Sequence, residues 1–553
     1  MKSSRSSGSL WIVAAFVFAV PLRAQMYSGT GNIHESFVGS ETETYLRYLD
    51  LTDTTSDAAW SIRPLSPPQL RALAQRIADS PWEARLSGFV QPVGRLRGGL
   101  LSPQASLRFN TLYPYGSNDG AIWAGRGLTT AAGAGVYADA GPISVSLAPM
   151  VFRAENTAFP LFPSTLPCGC GDALYGVLVD HPQRFGSKPY QRLDPGQSTI
   201  RVDLFHLSAG LSSANEGWGP SVEYPFLLGN NAPGFPHIFV GTSQSLPIFV
   251  GRAQARVIYG RLDQSNYSSV NGSKYYVSDF EPGRLRFASG LIGTFQPRGF
   301  DGLEIGGARF IHSVWPRTGI PSSYFKKPLQ PFLKVNLPGI EQQVARTDNQ
   351  LASFFARWAF RPSGIEVYGE YGRDDSAYDL RDFIQEPDHT RAYSLGLAKV
   401  FRKQSSKFDV VRIELMNFEV PPLATTTRGE GSIYWNGLLH QGHTNRGQLL
   451  GADIGTNDAA ASTIRWDHYT TGGRWAVFYH RNLRAESYDE LIRDSNVIQV
   501  ADVLQALGYE RVKFTRRFDM TSAVTLMRDM SRNFDGSRTN LNVTFALTLP
   551  QQR

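Results

Sequence analysis

Apolar and polar residues alternate with a period of two along most of this chain. At its end, Leu541, Val543, Phe545, Leu547 and Leu549 alternate with Asn542, Thr544, Ala546 and Thr548. Leu107, Phe109, Thr111 and Tyr113 alternate with Ser106, Arg108 and Asn110, and Ile200, Val202 and Leu204 with Arg201 and Asp203. Ile365 and Val367 alternate with Glu366, Tyr368 and Glu370; Val411, Ile413 and Leu415 with Arg412 and Glu414; Trp475, Val477 and Tyr479 with Ala476, Phe478 and His480. Such alternation predicts strands with one apolar and one polar face. It begins near Arg85 and gives roughly 16 to 18 strands of about 10 residues each. Roughly 460 residues of this kind exceed one sandwich core. The expected fold class is all-β: a large antiparallel transmembrane β-barrel of about 18 strands, with its polar face inward and its apolar face on lipid.

Ahead of the strands the period changes to that of helices. Ser40 and Glu43 are spaced as a capping box before Tyr45, Leu46 and Leu49. Ser66, Pro67 and Gln69 form a stronger start, followed by an apolar stripe of Leu70, Leu73, Ala74 and Ile77, and Ser80-Pro81 ends it. These helices either pack on one end of the barrel or form a periplasmic handle or plug. Irregular stretches rich in Pro, Gly, Asn and Asp interrupt the strands at 155–197, 219–236, 314–350, 376–390, 420–446 and 485–500. A barrel has short turns at one end and long loops at the other, so most of these face outward. Val500, Val503, Leu504 and Leu507 before Gly508 have helical spacing and predict a small helix in a loop.

The first residues read as a secretory signal: basic Lys2 and Arg5, the apolar run Leu10 to Val20, and a cleavage site at Leu22-Arg23-Ala24. That run is too short for a membrane-spanning helix, and no later stretch of 18 apolar residues follows. The expected organisation is a signal peptide over 1–24, a periplasmic segment with short helices over 25–82, and an outer-membrane barrel over 83–553.

Composition adds little beyond this. A mean hydropathy of -0.24 suits a soluble protein and a barrel equally, because half of each barrel strand is polar. Aromatics at 12% and 53 glycines lean toward a barrel, with interfacial girdles and tight bends. Removing Lys2, Arg5 and Arg23 lowers the net charge from +7 to +4. The remaining basic residues do not cluster as a nucleic-acid surface requires, so no nucleic-acid partner is expected.

Candidate chemistry is sparse. There is no nucleophile elbow, zinc-protease motif, phosphate loop or dinucleotide fingerprint, so neither an enzyme nor a cofactor is expected. Glu366 and Glu370 read as lumen lining rather than a glycosidase pair, and His440 with His443 lacks the further ligands of a metal site. Cys168 and Cys170 stand in an exported chain, where a disulfide forms readily. A tight loop staple fits them better than a metal or redox site, although closure over a single residue is strained. Two segments combine aromatic rings with amides and charges: Asn215–Pro220 leading into Leu227–His237, and Tyr434–Gly447 followed by Leu450–Gly455. Rings stack on the apolar faces of sugars, and amides and charged groups bond hydroxyls and carboxylates. The bland alternative is girdle aromatics with turn-shaping Gly and Pro.

These two segments resemble those of the capsule assembly Wzi family. Glu216–Pro220 and Leu227–Pro233 match its acidic/Trp-Gly-Pro and Leu-Leu-x-Asn-Asn-Ala-Pro runs. Gly442–Gly447 and Gly451–Gly455 match its late Gly-His/Tyr-Thr-x-x-Gly and Gly-x-x-x-Gly segments. The chain departs from the usual aromatic C-terminus of barrels by ending in Pro550-Gln-Gln-Arg553. The resemblance implies an 18-stranded outer-membrane barrel of lectin-like, non-enzymatic function that attaches or organises capsular polysaccharide. The expected sugar contacts are Glu216, Trp218, Asn230, Asn231, Tyr434, Trp435, His443, Asn445 and Arg446. Trp and Tyr are expected to stack, and His443 and Arg446 to meet acidic sugars. A monomer in contact with capsular polysaccharide and outer-membrane lipid is expected. The alternative is a porin-like channel for sugars or anions, with Arg108, Arg201, Arg412 and Arg465 lining a wet pore.

Overall fold

The computed structural model describes residues 31–549 except 54–55, 57, 77–79, 91–95, 163–178, 266, 268–284, 317, 334–335, 337–347, 375–376, 378, 386–389, 405, 420–432, 437–438, 457–458, 486–501 and 532–535. The signal peptide expected over 1–24 and the Cys168–Cys170 staple lie outside the described residues.

Eighteen antiparallel strands close into one barrel. The first half comprises β1 (Arg97–Asn110), β2 (Gly127–Ala140), β3 (Ile143–Leu147 and Met150–Ala154), β4 (Tyr190–Asp194 and Thr199–Leu204), β5 (Leu207–Ser212), β6 (His237–Thr242 and Leu246–Ile248), β7 (Gly251–Asp263), β8 (Leu285–Pro297) and β9 (Leu303–Val314). The second half comprises β10 (Asp348–Phe360), β11 (Ile365–Asp374), β12 (Arg391–Gln404), β13 (Lys407–Glu419), β14 (Ala459–Thr470), β15 (Gly473–Ala485), β16 (Asp502–Phe514), β17 (Asp519–Ser531) and β18 (Ser537–Thr548). The alternating C-terminal stretch is the closing strand. It pairs with β1 from Gln104 opposite Thr548 to Asn110 opposite Asn542.

Connections at 141–142, 205–206, 249–250, 298–302, 361–364, 471–472 and 515–518 lie at one end. The long ones, including 155–189, 213–236, 315–347 and 420–458, lie at the other. Burial is inverted relative to a water-soluble barrel. Leu507 and Leu526 are 57% and 53% exposed on the outside, whereas Glu304 and Arg357 are 0% and 1% exposed on the inside. Only a lipid-facing wall makes that arrangement favourable, since apolar surface in water costs about 25 cal/mol per Å².

Two expectations are corrected. Val503, Leu504 and Leu507 do not form a helix: Asp502–Phe514 is strand β16, paired along its length with β15 and β17, and Val500 lies outside the described residues. Its apolar residues fit both periods, and pairing on both edges decides between them. Gly508 is no helix stop. It makes room for the Phe478 ring, which a Cβ there would meet at 2.1 Å. The switch to barrel strands also comes later than Arg85, because Glu83–Leu86 and Ser87–Val90 are still helical and the first barrel strand starts at Arg97.

The helices ahead of the barrel are α1 (Glu41–Asp50), α2 (Pro67–Ala74) and α3 (Glu83–Leu86). Ser66 and Gln69 make the reciprocal box expected at α2. At α1 the Ser40 hydroxyl accepts from the Glu43 amide, but Glu43 reaches one residue further back, to the Gly39 amide at 2.8 Å. The helices sit inside the barrel at its short-turn end. Tyr45, Trp60, Leu70, Trp82, Leu86 and Phe89 share one core with Phe408, Val410 and Tyr469 on the inner faces of β13 and β14. Tyr45 stacks on Trp82 with ring centroids 4.1 Å apart.

Buried ion pairs fasten this segment to the wall. Arg47 of α1 binds Glu366 at 2.7 Å, and Glu366 is shared with Arg357 of β10. Glu304 accepts from the backbone amides of Trp60 and Ser61. Arg474 of β15 joins Glu41, Asp467 and Glu510, Arg361 meets Asp50 at 3.4 Å, and Arg85 pairs with Asp519. Removing one partner of a buried pair costs about 3–5 kcal/mol. Arg474→Ala is therefore expected to loosen residues 31–90 without opening the barrel. Trypsin should cut the helical segment at least ten times faster, while the heat-dependent gel shift of the barrel stays unchanged. Wild-type protection in the variant would refute the fastening role.

Candidate functional site

The two motif segments fold inward from the long-loop end and form one buried plug. In the first, residues 213–236 reach the middle of the lumen. There Gly217 and Trp218 pair with Arg63 and Ile62 of the helical segment as a two-stranded sheet. The plug and the helical segment thus meet inside the barrel. One carboxylate on β13 holds the descending loop: Glu414 accepts from the backbone amides of Val222, Glu223 and Tyr224 at 3.1, 3.0 and 2.7 Å. The second segment, 433–456, lies against the first. Gly229 donates its amide to the Leu450 carbonyl at 3.0 Å.

The structure spends most of the expected sugar contacts inside this plug. Trp218 is fully buried, with its ring over Gly290 of β8, where a Cβ would meet it at 2.5 Å. Glu216 accepts from Arg256 at 2.8 Å and from the Trp218 indole at 3.1 Å. Tyr434 is fully buried, donates to the Phe226 carbonyl at 2.5 Å and stacks on His443. His443 donates from Nε2 to the Leu227 carbonyl at 2.6 Å. Asn445 binds the Pro233 carbonyl and the Asp263 amide, and Arg446 pairs with Asp194 and Asp263 at 3.1 and 3.3 Å. Asn230 donates to the Asn118 carbonyl at 2.7 Å and Asn231 to the Leu449 carbonyl at 3.0 Å. Trp435 is half-buried against the plug core. Buried rings offer no face for stacking, so Trp218 and Tyr434 are plug core in this structure and not sugar platforms.

Electrostatics point the same way. Burial works against the Glu216 charge, but Arg256 and His237 outweigh it and hold the carboxyl down at about 2. Burial lowers His443 to about 4, helped by the nearby Arg286 and opposed by the Leu227 carbonyl. A neutral imidazole supplies no cation for an acidic sugar. Arg446 has already spent its charge on two aspartates.

A cavity of about 210 Å³ lies beside the plug at the long-loop end. The loop after β1 supplies Tyr113, Tyr115, Asp119 and Trp123. The inner faces of β15 to β18 supply His480, Asn482, Arg484, Ala506, Asp529 and Arg538, and the plug supplies Glu223, Asn231 and Gln448. Its charges are matched from within. Asp119 pairs with Arg108 at 2.9 Å, Glu223 with Arg412 at 2.8 Å and Asp529 with Arg538 at 3.0 Å. Buried Tyr113 Oη and Asn482 Oδ1 have no hydrogen-bond partner among the described residues. Of the expected contacts, only Asn231 lines this cavity. The aromatic and Asn-Asp-Gly composition of Tyr113–Trp123 was the signal that could have found the rest.

Residues 127–532 match the family described as Capsule assembly protein Wzi. The chain belongs to that family. Among solved structures it is similar to Wzi of Escherichia coli, described as an outer-membrane protein involved in group 1 capsule assembly and a carbohydrate-binding β-barrel. Identity is 14%, covering 94% of this chain and 99% of that one, with a TM-score of 0.60. OccK5 and OccD3 of Pseudomonas aeruginosa are 9% and 12% identical, each covering 82% of this chain and 98% and 91% of their own, with a TM-score of 0.38 each. No curated protein matches the chain. The motifs that carry the Wzi resemblance are, in this member, fasteners of the plug.

Plug stability should fall as the medium is acidified. The folded value of His443 lies near 4, below the 6.5 of a free imidazole, so protons bind the loosened loop first. Its contribution is complete above pH 6.5 and is lost as pH falls toward 4. Glu216, held near 2, adds a second loss between 4.5 and 2. Amide protection factors over the described residues of 213–236 and 433–456, corrected for the intrinsic pH dependence of exchange, are expected to fall from pH 6.5 to 4 in the wild type. His443→Gln should flatten that limb, and an unchanged limb would refute the assignment.

Proposed function

We propose that this chain is a non-enzymatic outer-membrane barrel that binds capsular polysaccharide through the cavity at its long-loop end. It thereby holds the polymer at the cell surface. The observation that carries the reading is a sugar-sized cavity set into a barrel whose lumen is filled from both ends. Half-buried Tyr115 and Trp123 supply ring surface, and Asn482, Gln448 and Asn231 supply amides for hydroxyls. The unpartnered Tyr113 Oη and Asn482 Oδ1 gain partners when a hydroxyl-rich ligand enters. Because the acids are already paired with arginines, the cavity suits uncharged sugar units better than uronic acids. Membership of the Wzi family and the description of the E. coli relative support the same role.

The filled lumen argues against the porin-like reading. Of the four arginines expected to line a wet pore, Arg201 pairs with Asp203, Arg412 with Glu223, Arg465 with Asp467 and Glu510, and Arg108 with Asp119.

Trp123→Ala and Asn482→Ala should each weaken binding of purified capsular polymer about tenfold, with barrel melting unchanged. Losing one stacking ring or one buried polar contact costs about 1–3 kcal/mol. In cells lacking the chain, total polysaccharide should stay constant while the released share rises. Unchanged binding in both variants would remove the cavity from the proposal. A conducting wild type in planar bilayers would favour the channel instead.

A further inference from the structure

The outer face of β14 to β18 carries a feature that polysaccharide binding does not use. Ser462, Arg481, Gln505, Arg528 and Thr539 stand opposite one another in successive strand pairs. They form one outward polar row. One step toward the short turns lies the row Ile464, Tyr479, Leu507, Leu526 and Leu541, and beyond it Trp466, Val477, Tyr509, Val524 and Val543. All ten of these apolar and aromatic side chains are exposed. One step toward the long loops lies the short row Ala460, Leu483, Val503, Met530 and Ser537, at which these strands end, so the two arginines stand near the long-loop edge of the lipid-facing wall. Both are exposed.

Spacing and charge make this row unlike its neighbours. Strands lie about 4.8 Å apart, so Arg481 and Arg528 flank Gln505 across roughly 10 Å, within reach of one another's ligand. Arg528 is already oriented, since it donates to Thr539 Oγ1 at 2.9 Å and leaves its remaining N–H groups free to bind. Neither arginine is ion-paired to a carboxylate among the described residues. On the same outward rim Arg261 is met by Asp263 at 3.4 Å. Guanidinium forks match phosphate oxygens in geometry and charge, and cations at a membrane edge draw anionic headgroups.

We propose that this row is a binding site for a phosphorylated glycolipid of the outer leaflet. Arg481 and Arg528 grip phosphate, Gln505 and Thr539 bond the sugar, and the acyl chains lie along Tyr479, Leu507, Leu526 and Leu541. A free phosphate lacks the chains that those apolar rows would hold. The site depends on the long-loop end facing out of the cell and not on the polysaccharide reading.

The test is native mass spectrometry of the full barrel, released from nanodiscs, with three probes. These are bisphosphorylated lipid A, the same lipid with its phosphates removed, and a zwitterionic phospholipid. The wild type should retain lipid A at least tenfold over the other two, and millimolar inorganic phosphate should not displace it. Arg481→Ala/Arg528→Ala should retain all three alike, and Arg481→Lys/Arg528→Lys should recover part of the preference. If the double alanine variant fails to fold, Arg481→Gln and Arg528→Gln singly should each lower the preference. Equal retention of lipid A by wild type and variants, or complete displacement by inorganic phosphate, overturns the proposal. Polymer binding by the variants should stay at the wild-type level, so this site can fail without the polysaccharide site failing.

Discussion

A barrel wall built on period-two alternation points half of its side chains at a lumen. In this chain those side chains include buried Arg201, Arg256, Arg286, Arg357, Arg412 and Arg474, with Glu304, Glu366 and Glu414. Charge withdrawn from water must be paired and hydrogen-bonded or the fold does not survive. A wide pore meets this requirement with water. Here the chain meets it with itself: helices enter from the short-turn end, loops descend from the other, and they join at Ile62 and Trp218. Arg47 shows the logic in one side chain, since its guanidinium binds both Glu366 of the wall and the Pro220 carbonyl of the descending loop. Each filling is held in place by the other as well as by the wall.

That requirement decides where recognition can occur. Residues of the right chemistry for a sugar are abundant along the lumen, but most are committed to holding the plug. Arg446 between Asp194 and Asp263, and His443 on the Leu227 carbonyl, have no capacity left. Ligand chemistry survives where the filling stops short of the wall, beside β15 to β18. There Asp119, Glu223 and Asp529 have arginine partners, while Tyr113 Oη and Asn482 Oδ1 have no hydrogen-bond partner among the described residues.

The barrel was legible because alternation is a local signal repeated in every strand, and the closing strand at Leu541–Leu549 shows it without interruption. The helix starts were legible for the same reason: Ser66, Pro67 and Gln69 act within one turn. Where two periods fit one stretch, as at Val503 to Leu507, local pattern could not choose, and the neighbouring strands did. The site was less legible. Trp218, Tyr434 and His443 have sugar-binding composition and a family motif, but composition does not report burial. Whether a ring faces a ligand or a core depends on contacts between residues hundreds of positions apart, such as Trp218 with Gly290 or Tyr434 with Phe226. Nor did the sequence reveal that Tyr113–Trp123 and Arg538 meet, since the barrel seam that joins them is formed only by closure of β18 on β1.

One consequence of a single-layer wall follows from the same alternation. Strands β15 to β18 present Asn482, Arg484, Asp529 and Arg538 to the cavity, and Tyr479, Leu507, Leu526 and Leu541 to lipid. Neighbours in sequence thus work in different solvents, separated by the thickness of one backbone. Sliding any of these strands by one residue against its partner would exchange the two sets. Arginines would then stand among acyl chains, while leucines would stand beside unpaired aspartates. The paired charges inside therefore do more than fill the lumen. Asp529 with Arg538 ties β17 to β18 in the one register that satisfies both faces.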